Sequence, residues 1–324
     1  MKKKPKIGLA LGAGGARGWA HIGVIDAIRD CGIDIHCVAG TSMGALVGAA
    51  FASGKIDALH KVALDLDWKQ LIHYFVDISL PRSGLIDGTR IVEFVREYVM
   101  ATDITELQIP FAAIATDVLT GKEIVQREGS VIDAVRASIA IPGVFTPLVR
   151  GDYALVDGGL VNPLPINIAR ELGADFVIAV DITRAPLSQK HREDNTKQRK
   201  QQHRDELIHR VRSERTRKLL ERLSDTMESF DLANLSPARK WPWSADDEVP
   251  NIFEVLGNTM RIFQRQITAM RLQLDPPNVL IQPAVQEVST MDFHHAEIAI
   301  QAGYDAARTA LESAGFTPKG GRPA

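Results

Sequence analysis

Apolar residues in this chain follow two alternating patterns: short unbroken runs that end in glycine, and longer stretches where they recur at helical spacing. Residues 6–11 form one such run and predict a buried strand that passes directly into Gly12-Ala13-Gly14-Gly15-Ala16-Arg17-Gly18. A helix is predicted from near Ala16 to Cys31-Gly32, carrying Trp19, Ile22, Val24, Ile25 and Ile28. Residues 33–39 read as a second strand, and the small-residue segment 45–52 as a second helix. This strand-helix-strand-helix order predicts a parallel α/β unit covered on both faces.

Residues 55–100 are mostly helical in pattern, with an aromatic patch from Trp68 to Val76 and a helix over 90–100 started by Asp87-Gly88-Thr89. Strands are predicted at 110–116, 123–126, 153–156, 176–180 and 278–282, and helices at 131–139, from Pro165 to Leu172, and at 252–274. A closing helix over 293–314 has Asp292 as its expected cap. Residues 189–222 are dense in Lys, Arg, Glu and Gln and read as a solvated helical insertion rather than an anion site. Three segments follow: a core over 1–184, a charged insertion over 185–250, and a helix-strand-helix over 251–324 that completes the α/β domain.

Composition narrows the picture. With 38 Lys+Arg against 40 Asp+Glu, the formal charge is −2, and no basic field marks nucleic acid as a partner. The two cysteines, Cys31 and Cys37, lie in apolar surroundings, which suits buried thiols in a cytoplasmic protein better than a disulfide framework. The basic N-terminus lacks the pattern of a signal peptide, and no window is apolar enough to span a bilayer. Nothing in the pattern sets an oligomeric state.

The candidate chemistry gathers at strand ends. Gly40-Thr41-Ser42-Met43-Gly44 is a G-x-S-x-G between a strand and a helix, the setting of a nucleophile elbow, which makes Ser42 the first nucleophile candidate. The loop of Gly12, Gly14, Gly15 and Arg17 offers backbone N–H groups and a positive charge to an anion. Its G-x-G-x-x-x-G spacing is neither the dinucleotide fingerprint nor a phosphate loop, and the second strand ends without the acid a ribose needs. For a base, none of the nine histidines has a strand-end or glycine-flanked setting; His21 reads as structural, and His294-His295 opens the last helix. Asp157 differs, since it ends a strand and is followed by Gly158 and Gly159. Ser138 lies inside a short helix without elbow glycines, where structure accounts for it better than catalysis.

In this order, the glycine loop, the elbow and Asp157-Gly158-Gly159 resemble the patatin-like phospholipases, most closely their bacterial members related to neuropathy target esterase. The resemblance covers roughly residues 6–182 and includes residues 136–143 and 157–165. It implies a three-layer α/β/α fold with a mostly parallel central sheet and a helical insertion toward the C-terminus. It also implies a lipid acyl hydrolase in which a Ser-Asp dyad replaces the Ser-His-Asp triad. By that resemblance Ser42 is the nucleophile, Asp157 its activating partner and the Gly12, Gly14, Gly15 and Arg17 loop the oxyanion site, with Gly14 and Gly15 the better donors because Ala13 interrupts the loop. No metal or cofactor is needed. The substrates implied are phospholipid, lysophospholipid or fatty acyl ester, with peripheral contact at the inner membrane face. From the residues alone, the patch over 68–76 reads equally as core packing or as an acyl groove, a lid or a membrane-facing surface, and Trp241 and Trp243, in a loop, read as a surface of one of those three kinds.

Two other readings compete. An α/β-hydrolase would use Ser42, Asp157 and His294 or His295, although the elbow comes after only one earlier strand. A scaffold on a degenerate hydrolase fold would act through the charged insertion instead.

Overall fold

Strict alternation within each strand decides which layer its side chains join. In β1 (Ile7–Leu11), Leu9 and Leu11 point to one side of the sheet and Ala10 to the other, and all three are fully buried. The computed structural model describes residues 4–65, 103–183, 252–288 and 292–317, all within the unit formed by residues 1–186 and 251–324. The aromatic patch 68–76, the helix expected over 90–100, the charged stretch 189–222 and Trp241-Pro242-Trp243 lie outside the described residues.

The eight strands form one sheet. They are β1, β2 (Ile35–Thr41), β3 (Phe111–Asp117), β4 (Glu123–Gln126), β5 (Leu148–Arg150), β6 (Tyr153–Asp157), β7 (Phe176–Val180) and β8 (Val279–Ile281). Their order is β5-β6-β3-β2-β1-β7-β8, with β4 also paired to β3. The pairings of β1 with β2 and β7, of β2 with β3, and of β7 with β8 are parallel, whereas β4, β5 and β6 join antiparallel. The central strands therefore read as nearly unbroken apolar runs, as strands covered on both faces must.

Helices α1 (Ala20–Asp30), α2 (Met43–Ala52), α3 (Ile56–Asp65), α4 (Val131–Ser138) and α7 (Ala296–Ser313) share one core with Leu9, Leu11, Val38, Ile178 and Val180. Ala10, Ala39, Ile114, Val177 and Ala179 face the other way, beneath α5 (Ile166–Glu171), with Leu272 of α6 (Ile252–Leu274) packed against them. The result is three layers, helix on sheet on helix, as the sequence led us to expect.

Local departures have local causes. Residues 15–19 form a 3-10 turn, and α1 begins only at Ala20. The closing helix starts at Ala296 with His295 at its cap position, not at Phe293 after Asp292. The Asp292 carbonyl accepts the His295 N–H at 3.0 Å in a turn, and Phe293 is held by Trp19, whose indole Nε1 donates to the Phe293 carbonyl at 3.1 Å. Strand β5 was not foreseen; only three residues long, it has too short a run to show a period.

The first and last of the described helices meet where α1 crosses α7. A Cβ on Gly23 would lie 1.9 Å from the Ile300 carbonyl oxygen, and one on Gly303 would lie 2.0 Å from that of Ala20. Gly303→Ala should therefore cost about 1–3 kcal/mol through overpacking. Gly257→Ala in α6, where nothing lies within 4 Å, should gain roughly 0.5–1 kcal/mol. Urea melts of the two variants check this, and a wild-type midpoint for Gly303→Ala would refute the contact's importance.

Candidate active site

Where β2 ends, the chain must turn sharply to enter α2, and one residue carries the distortion. Ser42 sits at φ 56°, ψ −125°, the one non-glycine residue with positive φ among the described residues. Such geometry costs on the order of 1–3 kcal/mol and persists only where the surroundings over-determine it. Close backbone contacts surround it. A Cβ on Gly44 would come within 2.1 Å of the Leu11 carbonyl oxygen, and one on Gly40 within 2.3 Å of that of Gly44. The first turn of α2 thus lies directly on the end of β1, with Ser42 at the helix cap and its side chain at the positive end of the helix dipole.

Strand register then brings Asp157 to the serine. Thr41 is the partner of Ile114 on one side of β3, and Asp157 is the partner of Ala115 on the other. Across one strand, residues 115 apart in sequence meet: Ser42 Oγ donates to Asp157 Oδ2 at 2.6 Å. The other carboxylate oxygen, Oδ1, accepts the Gly159 N–H at 2.7 Å. Asp157 donates its own N–H to the Ala140 carbonyl at 2.9 Å and accepts at its carbonyl from Thr116 Oγ1 at 2.9 Å. Gly158 packs its Cα against the Ile114 carbonyl, so a side chain there would push Asp157 off the strand. Ser42 and Asp157 are both buried, and among the described residues no histidine is hydrogen-bonded to either. Burial pushes the Asp157 carboxyl up to about 6, while the bonds from Ser42 and Gly159 hold it below where burial alone would take it.

The glycine loop divides its labour differently from the sequence expectation. Gly12 donates its N–H to the Val180 carbonyl at 3.1 Å, and Ala13 donates to that of Pro163 at 2.8 Å, so Gly12 has no free donor for an oxyanion. Gly14 and Gly15 lead into the 3-10 turn, where N–H groups lack partners inside the turn, and neither bonds another carbonyl among the described residues. Arg17 turns away to donate from Nε to the Val288 carbonyl at 2.7 Å. Burial, and then the nearby Arg261, push its guanidinium down to about 10, so it stays charged at neutral pH. His21 supports the loop from below: its ring Nε2 lies 2.8 Å from the Gly12 carbonyl oxygen. Burial pushes that imidazole down to about 4, so it is neutral, with the proton on Nε2 as donor.

The segment after Asp157 ties all three loops together. The Asn162 carbonyl accepts from Thr41 Oγ1 at 2.8 Å, just ahead of the serine, and the Pro163 carbonyl holds Ala13. From the opposite side α6 lowers polar side chains onto the site. Gln264 and Thr268 are buried, and the Gln264 amide crowds Gly159 so closely that a Cβ there would lie 2.3 Å from its Nε2. Arg271, one turn further along, donates to the Val161 carbonyl at 3.1 Å. Sequence reasoning missed this face. The spacing of Gln264, Thr268 and Arg271 at i, i+4 and i+7 was the available signal, a polar stripe on a helix that otherwise looks like an ordinary surface helix. His294 and His295 lie near the start of α7, their ring centroids 3.9 Å apart, and bond neither Ser42 nor Asp157.

Comparison with known proteins gives a consistent picture. Residues 9–170 match the family model described as patatin-like phospholipase. An uncharacterized NTE family protein of Mycobacterium tuberculosis is 43% identical over 178 residues, which is 55% of this chain and 49% of that protein. A second from the same organism is 32% identical over 313 residues, 95% of this chain and 46% of its own length. The chain thus spans about half the length of these relatives. A patatin-like phospholipase domain-containing protein 7 of Rattus norvegicus is 33% identical over 181 residues, 54% of this chain and 13% of that protein.

The Asp157 environment carries a stability signature. A carboxyl raised from 3.8 to about 6 favours the folded state while protonated, and that contribution is lost as pH rises through about 6. Asp157→Asn, which keeps one acceptor for Gly159 and one polar contact for Ser42, should melt higher than wild type at pH 8. The gap should close below about pH 4. Equal melting temperatures at both pH values would contradict the buried, charged carboxylate.

Proposed function

The chain belongs to the patatin-like phospholipase family, and from that premise we propose that it is a lipid acyl hydrolase acting through Ser42 and Asp157. The observation that carries the reading is the 2.6 Å hydrogen bond from Ser42 Oγ to a fully buried carboxylate at a strained elbow. A serine hydroxyl is a weak nucleophile until a base accepts its proton in the attacking step. Asp157 is the one hydrogen-bond acceptor of that hydroxyl among the described residues. A carboxyl near 6 serves both directions: ionised at neutral pH, it is basic enough to take the Ser42 proton, and once protonated it is the acid that returns one to the leaving alcohol.

In the first step Ser42 Oγ bonds to the ester carbonyl carbon while its proton passes to Asp157 Oδ2. The negative charge on the carbonyl oxygen is met by the Gly14 and Gly15 N–H groups and by the positive end of α2. Collapse breaks the bond to the alcohol, which leaves with the proton from Asp157, and an acyl-serine remains. Water then repeats the sequence: Asp157 takes its proton, the hydroxyl adds to the acyl carbon, and the fatty acid departs as Ser42 recovers its hydrogen. Asp157 Oδ1 stays bonded to Gly159 throughout, so the carboxylate cannot rotate away between steps.

Lipid as substrate also accounts for an inversion in α6. Its inward side is polar, with Gln264, Thr268 and Arg271, while Val255, Ile262, Phe263 and Met270 are exposed on the outward side. An apolar stripe on a helix that covers the catalytic loops suits peripheral contact with a bilayer surface. None of the described helices is long and apolar enough to cross a membrane.

Hydrolysis of a p-nitrophenyl ester and of a lysophospholipid, with fluorophosphonate labelling, tests the chemistry. Ser42→Ala should abolish both turnover and labelling, and kcat/KM of the wild type should rise with pH through an apparent pKa near 6 as Asp157 ionises. A wild type that neither turns over nor labels would defeat the reading. For the surface, an Ile262→Asp, Phe263→Asp double variant should lose co-sedimentation with phospholipid vesicles and keep soluble-ester turnover. Undiminished sedimentation would remove the role given to α6.

A further inference from the structure

Ser138, the last residue of α4, is fully buried, and both capacities of its hydroxyl are in use. It accepts the Ser42 N–H at 2.9 Å and donates to the Ile114 carbonyl at 2.6 Å. Two residues further on, the Ala140 carbonyl accepts the Asp157 N–H at 2.9 Å. The Ile114 carbonyl that Ser138 holds is the one against which Gly158 packs. One short piece of chain, from Ser138 to Ala140, therefore grips the backbone of Ser42 with one end and that of Asp157 with the other.

We propose that Ser138 is a positioning residue for the Ser42 nucleophile, resting on the acyl-hydrolase reading above: its hydroxyl pins the strained elbow so that Ser42 Oγ stays aimed at Asp157. The physical need is specific. At φ 56° Ser42 stores strain that the chain can release by rotating the Thr41–Ser42 peptide, and this rotation would swing Oγ off the carboxylate. Gly40 and Gly44 allow the turn but do not hold it, since glycine adopts many conformations. A hydrogen bond to the Ser42 N–H opposes that rotation directly, and its own anchor on β3 is the strand that sets the Ser42 to Asp157 register. Misplacement of a nucleophile by about 1 Å costs on the order of a hundredfold in rate. Ser138 touches no reacting atom, so its loss should alter rate and leave substrate affinity in place.

The test compares wild type, Ser138→Ala, Ser138→Thr and Leu59→Ala; the last truncates a side chain buried in the apolar core under α3 and serves as a destabilised control. Ser138→Ala should lower kcat and the fluorophosphonate labelling rate at least about tenfold, with KM within about twofold. Ser138→Thr, which keeps the hydroxyl, should recover part of the rate. Leu59→Ala should melt earlier yet label normally per folded molecule. Amide hydrogen exchange at Ser42 provides a readout independent of activity: it should quicken in Ser138→Ala and stay slow in Leu59→Ala. Normal labelling together with an unchanged Ser42 amide in Ser138→Ala would overturn the proposal. A wild type without esterase activity would sink the hydrolase reading alone, and Ser42 exchange would still decide the clamp: quickened exchange upholds it, and unchanged exchange refutes it.

Discussion

The hydrogen bond between Ser42 and Asp157 depends on a carboxylate kept out of water, and much of the surrounding structure follows from that constraint. A buried ion with one hydroxyl and one backbone N–H as partners is poorly compensated, so its basicity rises toward neutral pH. The ionisable side chains of and beside the glycine loop bond backbone carbonyls instead of the carboxylate. His21 is neutral and bonded to Gly12, and Arg17 is bonded to the Val288 carbonyl. Among the described residues, neither places a compensating charge against Asp157, which would have returned its carboxyl to the ordinary range.

Tight backbone packing, rather than side-chain shape, sets the geometry. The elbow rests on the end of β1, Asp157-Gly158 rests on Ile114, and the segment through Asn162 and Pro163 binds the residues beside the serine and within the glycine loop. These contacts are carbonyls against glycines, an amide on a carbonyl, and one hydroxyl, that of Thr41, on the Asn162 carbonyl. Such contacts have little freedom to adjust, which is what holding the 2.6 Å separation of Ser42 Oγ and Asp157 Oδ2 to within a few tenths of an ångström requires. Ser138 fits the same pattern, as a side chain used in place of backbone to hold a backbone group.

The limits of sequence reading appear residue by residue. Local chemistry in the chain marked Ser42, Gly40 and Gly44, because a strand-to-helix elbow leaves a short glycine signature. It marked Asp157 more weakly, as a strand-end acid before two glycines. It misjudged Gly12, whose N–H is spent on Val180, because which donors remain free depends on a strand distant in sequence. It set Ser138 aside as structural, with no means of showing that its hydroxyl accepts the Ser42 N–H. The polar face of α6 also passed unnoticed, since a helix reports its own periodicity and not what it lies upon.

Among the described residues, the sequence by itself determined the order of strands and helices other than β5, the layered α/β class and the identity of the loops at the strand ends. These follow from period, glycine placement and burial preference, which act within a few residues. Only the tertiary structure decided that Ser42 and Asp157 meet, which loop amides are left unpaired, and that Ser138 and Gln264 stand behind and above them. Those outcomes depend on the pairing of β2 and β6 with β3 and on the docking of α6. Contacts between residues a hundred or more positions apart carry no local pattern, because strand register is set by the whole sheet packing at once.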